Sequence, residues 1–231
     1  MATQALFDIG NVMVEPSPTF TRLQGKTHAW LPLLVIIVLN VAILAWWIHT
    51  LDFAWLVNHM VAAQPDAKPE VRAAMATFLT PKTMMVSSGI GAVVGTLLIT
   101  AVIAAYYLIA AKFMGSPIGY GKWFGFSVWT SVPRLLTIPL SALQIATSHG
   151  QLAPEDLNMV SLNYLIFRLP PSNHWATLLG SIDLTTFLSI ALATVGLKVW
   201  TGRPTATCAT VAILPYAVVF GLWAAKIALV G

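Results

Sequence analysis

Two side chains in this sequence carry charge inside otherwise apolar runs: Arg134, in FSVWTSVPRLLTIPL, and Asp183, in GSIDLTTFL. An unpaired charge in hydrocarbon costs roughly 2.5–3.5 kcal/mol on insertion scales. Such residues are therefore kept for a reason, and three are open here. The two can form a structural ion pair, or Asp183 can sit at the start of its helix near the interface. They can instead form a site for a substrate or a proton, or they can stand apart. Pro133 and Pro139 flank Arg134 and deprive a helix of backbone donors; broken helices of this kind line transporter sites, and they also occur in packed bundles.

Other chemistry has less to build on. His49, Asp52, His59, His149 and His174 fall in or beside the same set of connecting segments and are of metal-ligating types. Asp52 and His59 share a helical face, but no HExxH spacing accompanies them, and no metal is expected. There is no GxSxG, no paired acid motif and no cysteine beside a base, so no catalytic residue is expected and no cofactor is implied. Gly115, Gly119, Gly121 and Gly125 lack the lysine of a phosphate loop and read as a turn. Gly91 and Gly95 make a GxxxG, the spacing that lets two helices approach closely. Cys208, the single cysteine, sits among small apolar residues as an inert thiol.

The elements that hold these residues are set by composition. Of 231 residues 58% are hydrophobic and 9% charged, with a mean hydropathy of +0.80. A soluble domain carries about 25% charged residues, so lipid must be the solvent for most of this chain. The net charge of +4 is spread singly between apolar runs, with no basic stripe or aromatic platform for nucleic acid. A crossing takes about 20 apolar helical residues. Five stretches qualify: Trp30–His49, Thr83–Ala111, Trp123–Thr147, Leu178–Trp200 and Thr205–Val230. The second must tilt or project. The third is expected to kink or break at Pro133 and Pro139, and the fifth contains Pro215. The Ala-rich segment between the first two reads as a helix outside the bilayer. Before the first, residues 1–29 carry apolar positions interrupted by Pro16 and Pro18, read as a short interfacial segment. The expected architecture is all-α: a five-helix transmembrane bundle over residues 30–231, preceded by that segment, with no cleaved signal peptide.

Orientation follows from Lys and Arg in the short connections. The first face holds Arg22, Lys26, Lys112, Lys122, Lys198 and Arg203, against Asp8 and Glu15. The other holds Lys68, Arg72, Lys82, Arg168 and Lys226, against Asp52, Asp66, Glu70, Glu155 and Asp156. Both short connections fall on the first face without an acid. The N-terminus is placed in the cytoplasm and the C-terminus outside.

Three stretches carry a family resemblance. VEPSPTFTRLQGKTHAWLPLLV, with Pro16-x-x-x-Phe20 ahead of Trp30-Leu-Pro-Leu, resembles the start of bacterial Yip1-domain proteins. FSVWTSVPRLL resembles their Pro-containing third helix, and SIDLTTFLSIALATVGLKVWTGRPTATCATVAILPY their Asp-containing fourth and their final helix. The resemblance implies five helices, a cytoplasmic N-terminus and an outward C-terminus. Eukaryotic relatives act in vesicle traffic with Rab GTPases and sister proteins. Their long cytosolic extension and Asp-Leu-Tyr-Gly-Pro-like segment are missing here, which argues against a Rab partner. Some bacterial relatives look like accessory components of membrane export systems. The resemblance brings no catalytic residues.

The expected function is that of a non-catalytic protein of the bacterial inner membrane, working through other membrane proteins of an export or transport system. The alternative is a small-solute or ion transporter or channel using Arg134 and Asp183. Self-association stays open.

Overall fold

The computed structural model describes residues 2–64 and 68–230; Asp66, counted above among the acids of one face, lies outside them. The described chain is helical: α1 (Ala2–Val14), α2 (Pro16–Gly25), α3 (Trp30–Thr50), α4 (Phe53–Ala62), α5 (Pro69–Phe78), α6 (Pro81–Phe113), α7 (Tyr120–Thr130), α8 (Thr137–Thr147), α9 (His174–Ser181), α10 (Leu184–Thr201) and α11 (Thr205–Val230). Among the described residues α3, α6, α10 and α11 are long and apolar enough to cross a membrane. Their outward residues are apolar, with Ile90, Leu98, Val102 and Leu222 each at least 60% exposed, so these helices contact lipid. With 33 residues, α6 is about 50 Å long at about 1.5 Å per residue, against a hydrocarbon thickness of about 30 Å.

Two of the five expected spans are not single helices. The third breaks into α7, a 3-10 turn over Val132–Leu136, and α8. Pro133 has no N–H to offer the carbonyl four residues back, and its ring would press on that carbonyl. The chain tightens instead, with Ser131 N donating to Val128 O at 3.1 Å and Arg134 N to Ser131 O at 3.1 Å. Neither half, at 11 residues, reaches span length. Pro139 is the third residue of α8, so its missing N–H falls in the first turn of that helix, directly after the 3-10 turn. Pro215 lies inside α11, which continues through it.

The fourth expected span also divides. After α9 ends, Ile182 turns extended and Asp183 pairs with Ser161 in an isolated antiparallel bridge. Leu162 N donates to Ile182 O at 2.8 Å and Leu184 N to Val160 O at 3.1 Å. Helix resumes only at Leu184, so Asp183 stands immediately before that helix, with the residues from Leu178 on the other side of the break.

The chain forms two compact units, the first of Met1–Ile37, Gly95–Leu135 and Thr185–Trp223, the second of Val38–Val94, Leu136–Leu184 and Ala224–Gly231. The first unit is built on an aromatic core. Phe126 is fully buried, with ring centroids of Tyr107 at 5.0 Å, Trp200 at 5.1 Å, Trp123 at 5.3 Å and Phe20 at 5.5 Å. Each tryptophan indole here donates to a backbone carbonyl: Trp200 to Phe20 at 2.9 Å, Trp129 to Thr27 at 2.5 Å and Trp123 to Ile118 at 3.2 Å. That satisfies the one polar atom each ring would otherwise bury.

Helices α1 and α2 belong to this core. Val12, Phe20 and Leu23 are buried in the same cluster as Trp123 and Trp200, and the largely buried Asp8 accepts from Arg22 at 2.6 Å. Residues of α1 and α2 thus share one core with residues that follow the boundary expected at residue 30. The reason is that α2 presents Phe20 and Leu23 three residues apart on one face, with aromatic partners available to cover them. Lys122 reinforces the arrangement by donating from Nζ to the carbonyls of Gln24 and Gly25, where α2 ends, and cations favour helix C-termini.

The second unit has its own core of Trp47, Ile48, Leu51, Leu56, Ile145 and Leu152. Its connecting loop is stitched down by Trp47 Nε1 to Leu152 O (3.0 Å), Ser141 Oγ to Leu157 O (2.8 Å) and Gln144 Nε2 to Asp156 O (2.7 Å). Gly150, at φ +83°, is required in that loop: a Cβ there would lie 2.7 Å from Thr50 O.

Candidate functional site

In the first unit a cavity of about 50 Å³ lies among α3, α6, α7, α10 and α11, lined by Thr96, Thr100, Tyr107, Ser127, Thr130, Ser131, Arg134, Ser189 and Tyr216 with three isoleucines. Most of this polarity comes from two helical faces. Thr96, Thr100 and Tyr107 recur at helical spacing along α6. Ser127, Thr130, Ser131 and Arg134 follow i, i+3, i+4, i+7 on α7 and into the 3-10 turn, so the break at Pro133 turns the chain while keeping Arg134 in line with the three hydroxyls. The spacing was present in the sequence; its signal is diluted because Ser and Thr are common in membrane helices, where they bond their own backbone.

The hydroxyls do bond backbone. Ser127 Oγ donates to Trp123 O at 3.0 Å, Thr130 Oγ1 to Ser127 O at 3.1 Å and Ser131 Oγ to Val128 O at 2.7 Å. Ser189, 5% exposed, has no partner for its Oγ among the described residues.

Of the two charges singled out from sequence, Arg134 lines this cavity. Asp183 belongs to the second unit, where Asn158 Nδ2 donates to its Oδ2 at 2.9 Å.

A family model for the Yip1 domain matches residues 10–226. The chain belongs to the Yip1-domain family. No curated protein matches it, and no solved structure does. Membership agrees with the helical architecture and the apolar spans, and it makes this Yip1-domain chain a membrane protein.

The other candidate residues are scattered. Among the described residues no three His, Cys, Asp or Glu side chains gather as metal ligands. Asp52 caps α4 by accepting from Trp55 N at 3.0 Å. His59 stacks on Trp55 and meets Glu155 Oε1 at 2.7 Å, while His49, His149 and His174 are exposed. Beside the His59–Glu155 pair, burial and the Glu155 charge push the Asp156 carboxyl above its ordinary range, against a smaller opposing effect of His59.

The glycines are the clearest revision. A Cβ on Gly91 or Gly95 would meet nothing within 4 Å among the described residues, so the GxxxG packs against no part of the chain that the structure describes. The close approaches lie elsewhere, at Gly125, where a Cβ would be 2.6 Å from Thr27 Cβ, and at Gly196, 2.6 Å from Phe126 Cε2. Gly125 ends a second GxxxG, Gly121 to Gly125, which the sequence presents as a turn and the structure places inside α7, whereas Gly196 has no small residue four positions away. Gly91→Ala and Gly95→Ala are accordingly expected to hold or raise stability, up to the helix-propensity gain of about 1 kcal/mol each. Unfolding in detergent measures this; a loss of similar size would mean that the two glycines meet another molecule.

Proposed function

We propose that this Yip1-domain chain is a non-catalytic multi-pass membrane protein that acts through partner proteins, as an accessory or assembly factor of an export or transport system in a bacterial inner membrane. The N-terminus faces the cytoplasm and the C-terminus the outside, the broken run from α7 to α8 supplying the fifth crossing. The observation that supports this most is the size of the polar cavity at Arg134. At about 50 Å³ it is far below the roughly 300–1,000 Å³ of sites that enclose small molecules. Three of the hydroxyls that line it, on Ser127, Thr130 and Ser131, donate to backbone carbonyls of their own segment. The same volume weighs against the second reading, solute or ion transport by a site near Arg134.

The test is purification of the tagged chain from its own membranes after mild crosslinking, read by size and mass spectrometry. A defined larger complex containing other membrane proteins at fixed ratio is expected. Repeated recovery of the chain alone would refute the proposal. Reporter fusions at both ends settle the crossings: an odd number puts the termini on opposite sides.

A further inference from the structure

The second unit holds a cavity of about 330 Å³ whose polar lining residues are His59, Glu155, Asp156, Asn163, Tyr164 and Arg168. It shares Glu155 and Asn163 with a neighbouring cavity of about 450 Å³, and both volumes fall within the roughly 300–1,000 Å³ of small-molecule sites. Opposite charges line it without neutralising one another. His59 Nε2 and Glu155 Oε1 meet at 2.7 Å, but the side chains of Asp156 and Arg168 have no hydrogen-bond or ion-pair partner among the described residues. The Asn163 amide is occupied, accepting from Leu169 N at 3.0 Å and donating to Leu169 O at 3.2 Å. The Tyr164 phenol can donate or accept, so it selects neither sign. A simple anion would meet Arg168 but also two carboxylates, and a simple amine would meet the carboxylates but also Arg168. A ligand carrying both charges answers both sides.

The walls of this cavity hang from the ends of spans. His59 lies on α4, which begins at Phe53 just after α3 ends at Thr50. On the other side, Leu162 N donates to Ile182 O and Leu184 N to Val160 O, tying the start of a π-helical turn over Asn163–Phe167 to the first residue of α10. In that turn Leu165, Ile166 and Phe167 are between 46% and 66% exposed. Its backbone donors are used internally, Leu165 N to Ser161 O at 3.0 Å and Arg168 N to Asn163 O at 2.6 Å, as backbone touching lipid requires. A polar, two-signed cavity thus adjoins an apolar tip at the end of a membrane-spanning helix.

We propose that this cavity binds the phosphoethanolamine headgroup of a membrane phospholipid, with the phosphate at Arg168, the ammonium at Asp156 and Glu155, and the acyl chains along Leu165, Ile166 and Phe167. The guanidinium fork suits phosphate oxygens, and a primary ammonium brings three hydrogens to the carboxylates where a choline group brings none. Burial and the Glu155 charge disfavour ionisation of Asp156, and a neighbouring ammonium would relieve that. The inference is independent of the partner reading above and of which side of the membrane this end of α10 faces.

Native mass spectrometry of the full chain in detergent tests it, by titration with phosphatidylethanolamine, phosphatidylglycerol and phosphatidylcholine of identical acyl chains. Phosphatidylethanolamine is expected to bind several-fold more tightly than the other two, since one lacks the ammonium and the other its hydrogens. Arg168→Gln and Asp156→Asn, both at exposed positions, should each cut that preference several-fold, and Asp156→Asn should in addition raise the binding of phosphatidylglycerol. Glycerophosphoethanolamine, which carries the same headgroup without chains, separates a lipid from a soluble source. It is expected to bind far more weakly than the lipid, and Ile166→Ser combined with Phe167→Ser should weaken the lipid alone. Equal binding of the three lipids by the unmodified chain, or an unchanged preference in both charge variants, would overturn the proposal. Glycerophosphoethanolamine binding as tightly as the lipid would overturn the lipid assignment in favour of a soluble zwitterion.

Discussion

Replacing Phe126 by alanine should cost about 3 kcal/mol of stability, the low end of the range for Phe→Ala in protein cores. Lipid tails are as apolar as the ring, so the transfer term that operates in water contributes little, and the loss comes from the cavity left behind and from forfeited contacts. Those contacts are with four other rings, Phe20, Tyr107, Trp123 and Trp200, all with centroids within 5.5 Å. Because Phe20 lies on α2, the variant should also loosen the N-terminal helices. Faster proteolytic cleavage between residues 15 and 29 is expected alongside the lower unfolding midpoint in detergent. A stability change below about 1 kcal/mol, or an unchanged cleavage rate, would show that Phe126 is not the residue joining these helices.

Gly196→Val attacks the same core from the opposite direction. The first carbon of any side chain there would stand 2.6 Å from Phe126 Cε2 and 2.9 Å from Phe20 Cε1, distances that force the rings to move. Overpacking of this kind costs about 1–3 kcal/mol, and a branched side chain belongs at the upper end, offset by only a few tenths from the better helix propensity of valine. The stronger expectation is non-additivity. With Phe126→Leu in the background the added methyls gain space, so the double variant should lose less than the sum of the single losses, by about 1 kcal/mol in a double-mutant cycle. Strict additivity would mean that the glycine is not there to admit the ring.

Much of the architecture can be read directly from the residues. Long apolar runs with few charges have only one stable home, because a backbone in lipid must satisfy its own hydrogen bonds and the helix does so locally. Trp30–Thr50, Pro81–Phe113 and Thr205–Val230 are helices for that reason, and Pro133 marks a break because a missing N–H is a local fact. The three quoted stretches likewise sufficed to indicate the family, whose model covers residues 10–226.

The candidate site was legible only in part. Arg134 stands out from any apolar run, but its neighbours Thr100 and Ser189 are far from it in sequence and unremarkable in type. Gly91 and Gly95 have the spacing of a packing motif yet face open space, whereas Gly196 has no such spacing and meets side chains. Spacing reports which residues share a face of one helix; it says nothing about what covers that face.

By itself, then, the chain's chemistry determined its solvent, its helices and the places where helix must fail, since each depends on transfer energies and hydrogen bonds settled within a few residues. The folding of α2 into the aromatic core, the bridge that holds Asp183 outside its helix and the hydroxyl ring around Arg134 were decided by tertiary structure. Each depends on partners about 20 to 180 residues away, and which distant side chain fills a space is a property of packing in three dimensions rather than of any local pattern.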